Sequence, residues 1–180
     1  MEKSEYDWVC EACSGNIEAF GCLYKSYYKS MTAIAYSLAG RFDVAEDIAQ
    51  ETFAIACQDI ARLSHPDKFA AWLAGICRNT ARKFLRAKKE QRLPDDFSYF
   101  QSDDETAIDS ETQGVVRQAV WSLPKKYREA VILRYYDGLS YEQIAKINDL
   151  TVQGVNGRIL RAKKKIVLYL KKRGLHHEIR

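Results

Sequence analysis

Between Thr151 and Arg173 the chain carries eight basic side chains (Arg158, Arg161, Lys163, Lys164, Lys165, Lys171, Lys172, Arg173) and no acidic one. The amides of Gln153 and Asn156 stand just ahead of them. Guanidinium and ammonium groups pair with phosphates, and a carboxamide offers a donor and an acceptor side by side, which suits the edge of a base. The chemistry open to this stretch is recognition of a polyanion, nucleic acid above all. A solvated basic hairpin has the same composition, so the elements that carry these residues must decide. For bond-making chemistry the sequence offers little. It contains no phosphate-cradling glycine loop, no Gly-x-Ser-x-Gly elbow and no His-Glu-x-x-His, and its three histidines are one loop residue and a terminal pair. No enzyme activity and no cofactor are expected.

The positioning element reads as a helix-turn-helix. Gly138 can end one helix, Ser140 can cap the next with Gln143 in capping-box position, and Leu139, Ile144 and Ala145 give that short helix a buried side. Asn148-Asp149-Leu150 then leads to Thr151, a second cap. Beyond it Val155, Ile159, Ala162 and Ile166 recur at helical spacing and face inward, leaving Gln153, Asn156, Arg158, Arg161 and Lys165 outward. An apolar back with a polar, cationic front fits a major groove.

Charge is sorted into blocks along the rest of the chain. Its 180 residues are 47% hydrophobic with a formal net charge of +4, enough for one or two small packed domains. Arg78 to Arg92 holds seven basic residues and one acidic. Leu93 to Gly114 holds seven acidic residues (Asp95, Asp96, Asp103, Asp104, Glu105, Asp109, Glu111) and no basic one. No apolar run approaches membrane-spanning length, and the opening Met-Glu-Lys-Ser-Glu-Tyr-Asp-Trp lacks the features of a signal peptide, so a cytoplasmic protein without membrane insertion is expected. Five cysteines, at 10, 13, 22, 57 and 77, are an odd count that argues against a disulfide framework. Cys10-x-x-Cys13 with Cys22 would suit a metal or a redox sensor. No nearby Cys or His completes a tetrahedral set, which favours structural thiols and no metal site.

Helical periodicity accounts for most of what remains. Phe20, Leu23, Tyr24 and Tyr27 mark one face, followed by Met31, Ile34, Ala35 and Leu38 before Gly40 breaks the run. A second helix is expected after Asp43, as its cap, with Ala45, Ile48, Ala49, Thr52, Phe53, Ala56 and Ile60 as its stripe and Glu46, Asp47, Gln50, Glu51 and Asp59 off it. A solvated surface and a partner-binding surface fit that acidic face equally. Arg62 to Lys68 reads as a loop, because Pro66 pushes His65 out of helical conformation. Phe69, Trp72, Leu73, Ile76, Cys77, Thr80 and Phe84 stripe a third helix, from which Arg78, Asn79, Arg82, Lys83 and Arg86 project; Trp72 belongs with the core rather than with a stacking platform. Helices from Val115 and from Tyr127 precede the helix-turn-helix. The fold class expected is all-α: a helical bundle over residues 1–92, an acidic flexible linker over 93–114, a second small helical domain over 115–175, and a tail at 176–180.

In this order the pieces resemble the bacterial RNA polymerase sigma factors of the extracytoplasmic function type. Gly15-Asn16-Ile17-Glu18-Ala19-Phe20 with Leu23-Tyr24 resembles the family's opening segment, and Ala45 to Phe53 resembles its core-polymerase-binding helix. Phe69-x-x-Trp72-Leu73-x-x-Ile76-x-Arg78-Asn79 resembles the segment that opens and reads the −10 element. Leu123-Pro124-x-x-Tyr127-Arg128 with the helix-turn-helix resembles conserved region four. The resemblance implies a promoter-specificity subunit with no chemistry of its own. Asp47, Gln50 and Glu51, supported by Phe53, would meet the clamp helices of the polymerase's largest subunit, and the C-terminal domain its flap. His65, Lys68 and Asn79 would engage a base of the melted strand while Arg82, Lys83 and Arg86 hold phosphates. Gln153, Asn156, Gly157, Arg158, Leu160, Arg161 and Lys165 would lie nearest the −35 DNA. Family members are often held by an anti-sigma factor. The sequence departs from the family at Lys83, often acidic there, and at Asn156, commonly a long basic residue; Gly154 and Gly157 remove side chains from the groove face. An ordinary helix-turn-helix regulator and a cysteine-based sensor remain the alternatives.

Overall fold

Four short polar side chains set where helices begin. Ser4, Asn16, Ser140 and Thr151 all sit in extended backbone and accept from amides of the first helical turn, and Ser4 and Ser140 form reciprocal capping boxes with Asp7 and Gln143. The computed structural model describes residues 3–90 and 110–173. Its regular elements are α1 (Glu5–Cys13), α2 (Ile17–Ala39), α3 (Phe42–Asp59), α4 (Phe69–Glu90), α5 (Ser110–Trp121), α6 (Lys125–Tyr135), α7 (Tyr141–Asn148) and α8 (Val152–Lys172), with 3-10 turns at Ile60–Arg62 and Pro66–Lys68. The all-α fold class is as expected, and no strand occurs among the described residues.

The apolar stripes pack as their spacing requires. Ala45, Ile48, Ala49, Thr52, Phe53 and Ala56 are all buried in α3 and Ile60 in the 3-10 turn that follows it, and Phe69, Leu73, Cys77 and Thr80 are buried in α4, with Trp72, Ile76 and Phe84 half-buried beside them. Each large side chain so covered contributes about 1.5–3 kcal/mol of transfer free energy. Around α2 as axis, α1, α3 and α4 form one bundle, while α5 to α8 form a second.

The two bundles are docked against each other, and a single apolar core runs through both. α6 lies on α2, and α7 on α4. Glu129, 7% exposed, takes both guanidinium bonds of Arg78 (2.7 and 3.2 Å), and Arg78 also donates to Asn148 Oδ1 at 2.7 Å. Buried Asp137 accepts from the Ser30 hydroxyl at 2.7 Å and pairs with Lys29 at 3.4 Å. Arg128 lies over the Trp121 ring, 4.2 Å from its centroid, and donates across the junction to the Ser37 carbonyl. Gly40 takes the left-handed conformation (φ 75°) that ends α2, and a Cβ there would stand 3.3 Å from Trp121, so this turn needs glycine for both its backbone and its neighbour.

Several expectations are corrected. Asp43 does not cap α3: the chain leaves Gly40 so abruptly that Arg41 is already the N-cap, without a side-chain cap bond, and Asp43 sits in the first turn paired with Arg41 at 2.6 Å. There its charge complements the helix dipole. α1 lies outside the periodic stripes; its signature in the sequence is Ser4 three residues before Asp7. α5 begins at Ser110, inside the expected linker, because one interior glycine costs about 1 kcal/mol and does not stop a helix. The rest of that linker, 93–109, lies outside the described residues, as does the tail at 176–180.

Candidate nucleic-acid interface

The turn between α7 and α8 is tight because Asp149 adopts the left-handed conformation (φ 48°), tolerated by a short polar side chain. Thr151 then accepts from the Gly154 amide at 3.0 Å and starts α8. Gly154 has a structural cause: a Cβ would meet the capping hydroxyl at 3.3 Å. Gly157 has none within the fold, since only the flexible end of Arg161 approaches it, and it leaves the backbone of the outer face open.

Val155, Ile159 and Ala162 bury the back of α8, while Gln153, Asn156, Leu160, Arg161 and Lys165 are exposed. Leu160, an apolar side chain 51% exposed, stands between them, apt for the methyl of a thymine. Arg158 differs from the other expected contacts. It is half-buried and turned toward the N-terminal bundle, where it lines a cavity with Arg78 and Arg82. Helical arithmetic explains this: it sits next to the buried seam, not at the centre of the outer face.

On the N-terminal bundle His65, Lys68, Asn79, Arg82, Lys83 and Arg86 are exposed. Arg82 donates to Asn79 Oδ1 at 2.6 Å, joining two of them along α4. Lys68 reaches across to Asp149 at 2.6 Å, and that hydrogen bond to a carboxylate raises the ammonium's pKa. Two residues expected to approach DNA, Lys68 and Arg158, are thus turned in this arrangement toward the other bundle.

The acidic face of α3 is clear of the core. Asp47, Gln50 and Glu51 are exposed, and among the described residues neither carboxylate is in an ion pair. Phe53 is only 3% exposed and meets Phe20, Tyr24 and Tyr28, so it holds the helix from behind. Arg128, which the sequence names without a role, braces the junction between the bundles. Its pKa is lowered by burial, and it ties Trp121, Leu123 and Ser37 together through three carbonyls.

Among the described residues no group of three or more His, Cys, Asp or Glu side chains is placed to hold a metal. Cys77 is buried against α2, donates to the Met31 carbonyl, and is pushed by burial up to about 12 from its ordinary 9.0. Cys57 is exposed. Thiol titration of the native protein at pH 8 is expected to modify Cys57 first and Cys77 only after unfolding; rapid native modification of Cys77 would refute the packing of α4 on α2. The linkage follows from the same shift. The unfolded thiol ionises near 9 and the folded one near 12, so Cys77 favours the fold below pH 9 and loses that contribution as pH rises through this window.

Comparison with known proteins is consistent across the chain. Residues 23–91 match the model of sigma-70 region 2, and residues 113–166 match that of sigma-70 region 4. The probable RNA polymerase sigma factor RfaY of Xanthomonas campestris is 31% identical over 161 residues, 84% of this chain; the chain spans 40% of that protein's length. The ECF RNA polymerase sigma-E factor of Haemophilus influenzae is 30% identical over 166 residues, covering 84% of this chain and 87% of that protein. Among solved structures, that of CnrH in complex with the cytosolic domain of CnrY superposes with a TM-score of 0.64 at 25% identity, covering 94% of this chain and 99% of CnrH. A regulator that is not a polymerase subunit is disfavoured, because the N-terminal half matches the family as well as the helix-turn-helix does. No helix among the described residues is long and apolar enough to cross a membrane. The chain belongs to the sigma-70 family, within its extracytoplasmic function group of RNA polymerase sigma factors.

Proposed function

We propose that this transcription initiation factor divides its work between oppositely charged faces. The acidic outer face of α3 docks on the clamp helices of the polymerase's largest subunit through Asp47, Gln50 and Glu51, with Phe53 as support. His65, Lys68 and Asn79, with Arg82, Lys83 and Arg86, engage the −10 element. The outer face of α8 enters the major groove of the −35 element through Gln153, Asn156, Gly157, Leu160 and Arg161, with Arg158 and Lys165 at its edges. Residues 1–92 and 115–175 hold the two working domains, α5 starts inside the acidic stretch 93–114 that joins them, and the C-terminal domain also meets the polymerase flap.

The observation that carries this reading is the sorting of charge by helix: the exposed faces of α3 and α8 have opposite signs, and the core uses neither. The factor works in the cytoplasm with no catalytic step of its own. CnrH was solved bound to another protein, which supports an anti-sigma factor as a further partner.

In vitro transcription with core polymerase over a promoter library, with and without this protein, tests the reading. Promoter-specific transcripts should appear only with the protein; their absence would sink it. Two variants divide the contacts of α8. Asn156→Ala should alter preference at one or two upstream positions by about 1–3 kcal/mol, whereas Lys165→Ala should weaken all promoters alike and lower the salt slope by about one. If Asn156→Ala affected every promoter equally, the helix would be rotated otherwise in the groove.

A further inference from the structure

A cavity of about 330 Å³ lies between the two bundles, and its polar wall is cationic: Arg78 and Arg82 from α4, Lys125 and Lys126 from α6, and Arg158 from α8. These five cations face one carboxylate, Glu129, both of whose oxygens already accept from Arg78. Lys125 and Lys126 are exposed, Arg158 is half-buried, and among the described residues none of the three is in an ion pair. Gathering like charges around one hollow opposes the docking of the bundles unless an anion enters.

Asn148, in the same wall, has its Oδ1 held by Arg78, while its Nδ2 is shut off from the hollow. Leu38 and Leu85 complete the lining with apolar surface. A volume at the small end of ligand sites, cationic on one side and apolar on another, suits a compound with several phosphates and a flat ring.

We propose that this cavity binds a small phosphate-bearing polyanion of nucleotide size. Its phosphates are gripped by Lys125, Lys126, Arg82 and Arg158, and its ring lies by Leu38 and Leu85. Because α4 belongs to one bundle and α6 and α8 to the other, the bound anion ties them together. Binding rests on the cavity alone. Competition with promoter DNA for Arg82 and Arg158 rests on the function proposed above.

Calorimetric titration of the full chain with GTP, ATP, pyrophosphate and sulfate tests the site. One saturable site is expected, with a phosphate compound binding about tenfold or more tighter than sulfate, and Lys125→Gln/Lys126→Gln weakening it by about tenfold or more. That double variant should keep the wild-type melting temperature without ligand and still direct transcription by core polymerase. Nucleotides binding more tightly than pyrophosphate would support a ring beside Leu38 and Leu85; equal affinities would support recognition through the phosphates. No saturable binding, equal binding of sulfate, or unchanged affinity in both the lysine variant and Arg158→Gln would overturn the proposal. Transcription failing in wild type while nucleotide still binds would instead count against the initiation role and leave the site standing.

Discussion

Replacing Asp47 and Glu51 together by lysine is expected to weaken association with core polymerase by about 100-fold or more while leaving the fold intact. Both carboxylates project from the exposed face of α3, one helical turn apart, with Ile48, Ala49 and Thr52 buried behind them. Neither is in an ion pair among the described residues, so their reversal removes no internal contact. Against a cationic partner surface each reversal replaces attraction by repulsion. Like-charge juxtaposition at an interface costs several kcal/mol, and each 1.4 kcal/mol is a factor of ten. Affinity capture of core polymerase reads the binding, and circular dichroism reads the fold. Unchanged capture by a folded double variant would move the polymerase contact off α3.

Arg78→Ala is expected to separate the two bundles. It leaves the Glu129 carboxylate, 9% exposed in its side chain, without a cation and also strips Asn148 Oδ1 of its donor. Breaking a buried pair by removing one partner costs about 3–5 kcal/mol, and the 23% exposure of the Arg78 side chain places the effect near the lower end, about 3 kcal/mol. Small-angle scattering should show the radius of gyration rise in the variant, and thermal unfolding should shift downward. Arg78→Met with Glu129→Leu replaces the pair by apolar groups of similar length and should recover part of the loss, with Asn148 still unsatisfied. A variant as compact and as stable as the parent would show that apolar contacts such as α6 on α2 hold the bundles without the ion pair. Separation also frees Lys68 from Asp149 and uncovers Arg158.

Local pattern made much of this protein legible from its sequence. The stripes of α3 and α4, the capping box at Ser140 and Gln143, the cap at Thr151 and the outward faces of α3 and α8 follow from a period of 3.6 residues and from donors that each helix start leaves unpaired. The capping box of Ser4 with Asp7, which starts α1, is a local signal of the same kind. Tertiary structure alone decided what lies on a helix's second face. Arg78 was expected to project away from the core, yet it is bound by Glu129, 51 residues further on, and Asp137 is buried against Ser30, 107 residues back. Arg158 belongs in sequence to a groove-reading face and in space also to the wall of a cavity. Periodicity reports one buried stripe per helix because the constraint is intrahelical. Contacts between segments this far apart carry no period, and only the docking of two bundles determines which polar residues they enclose.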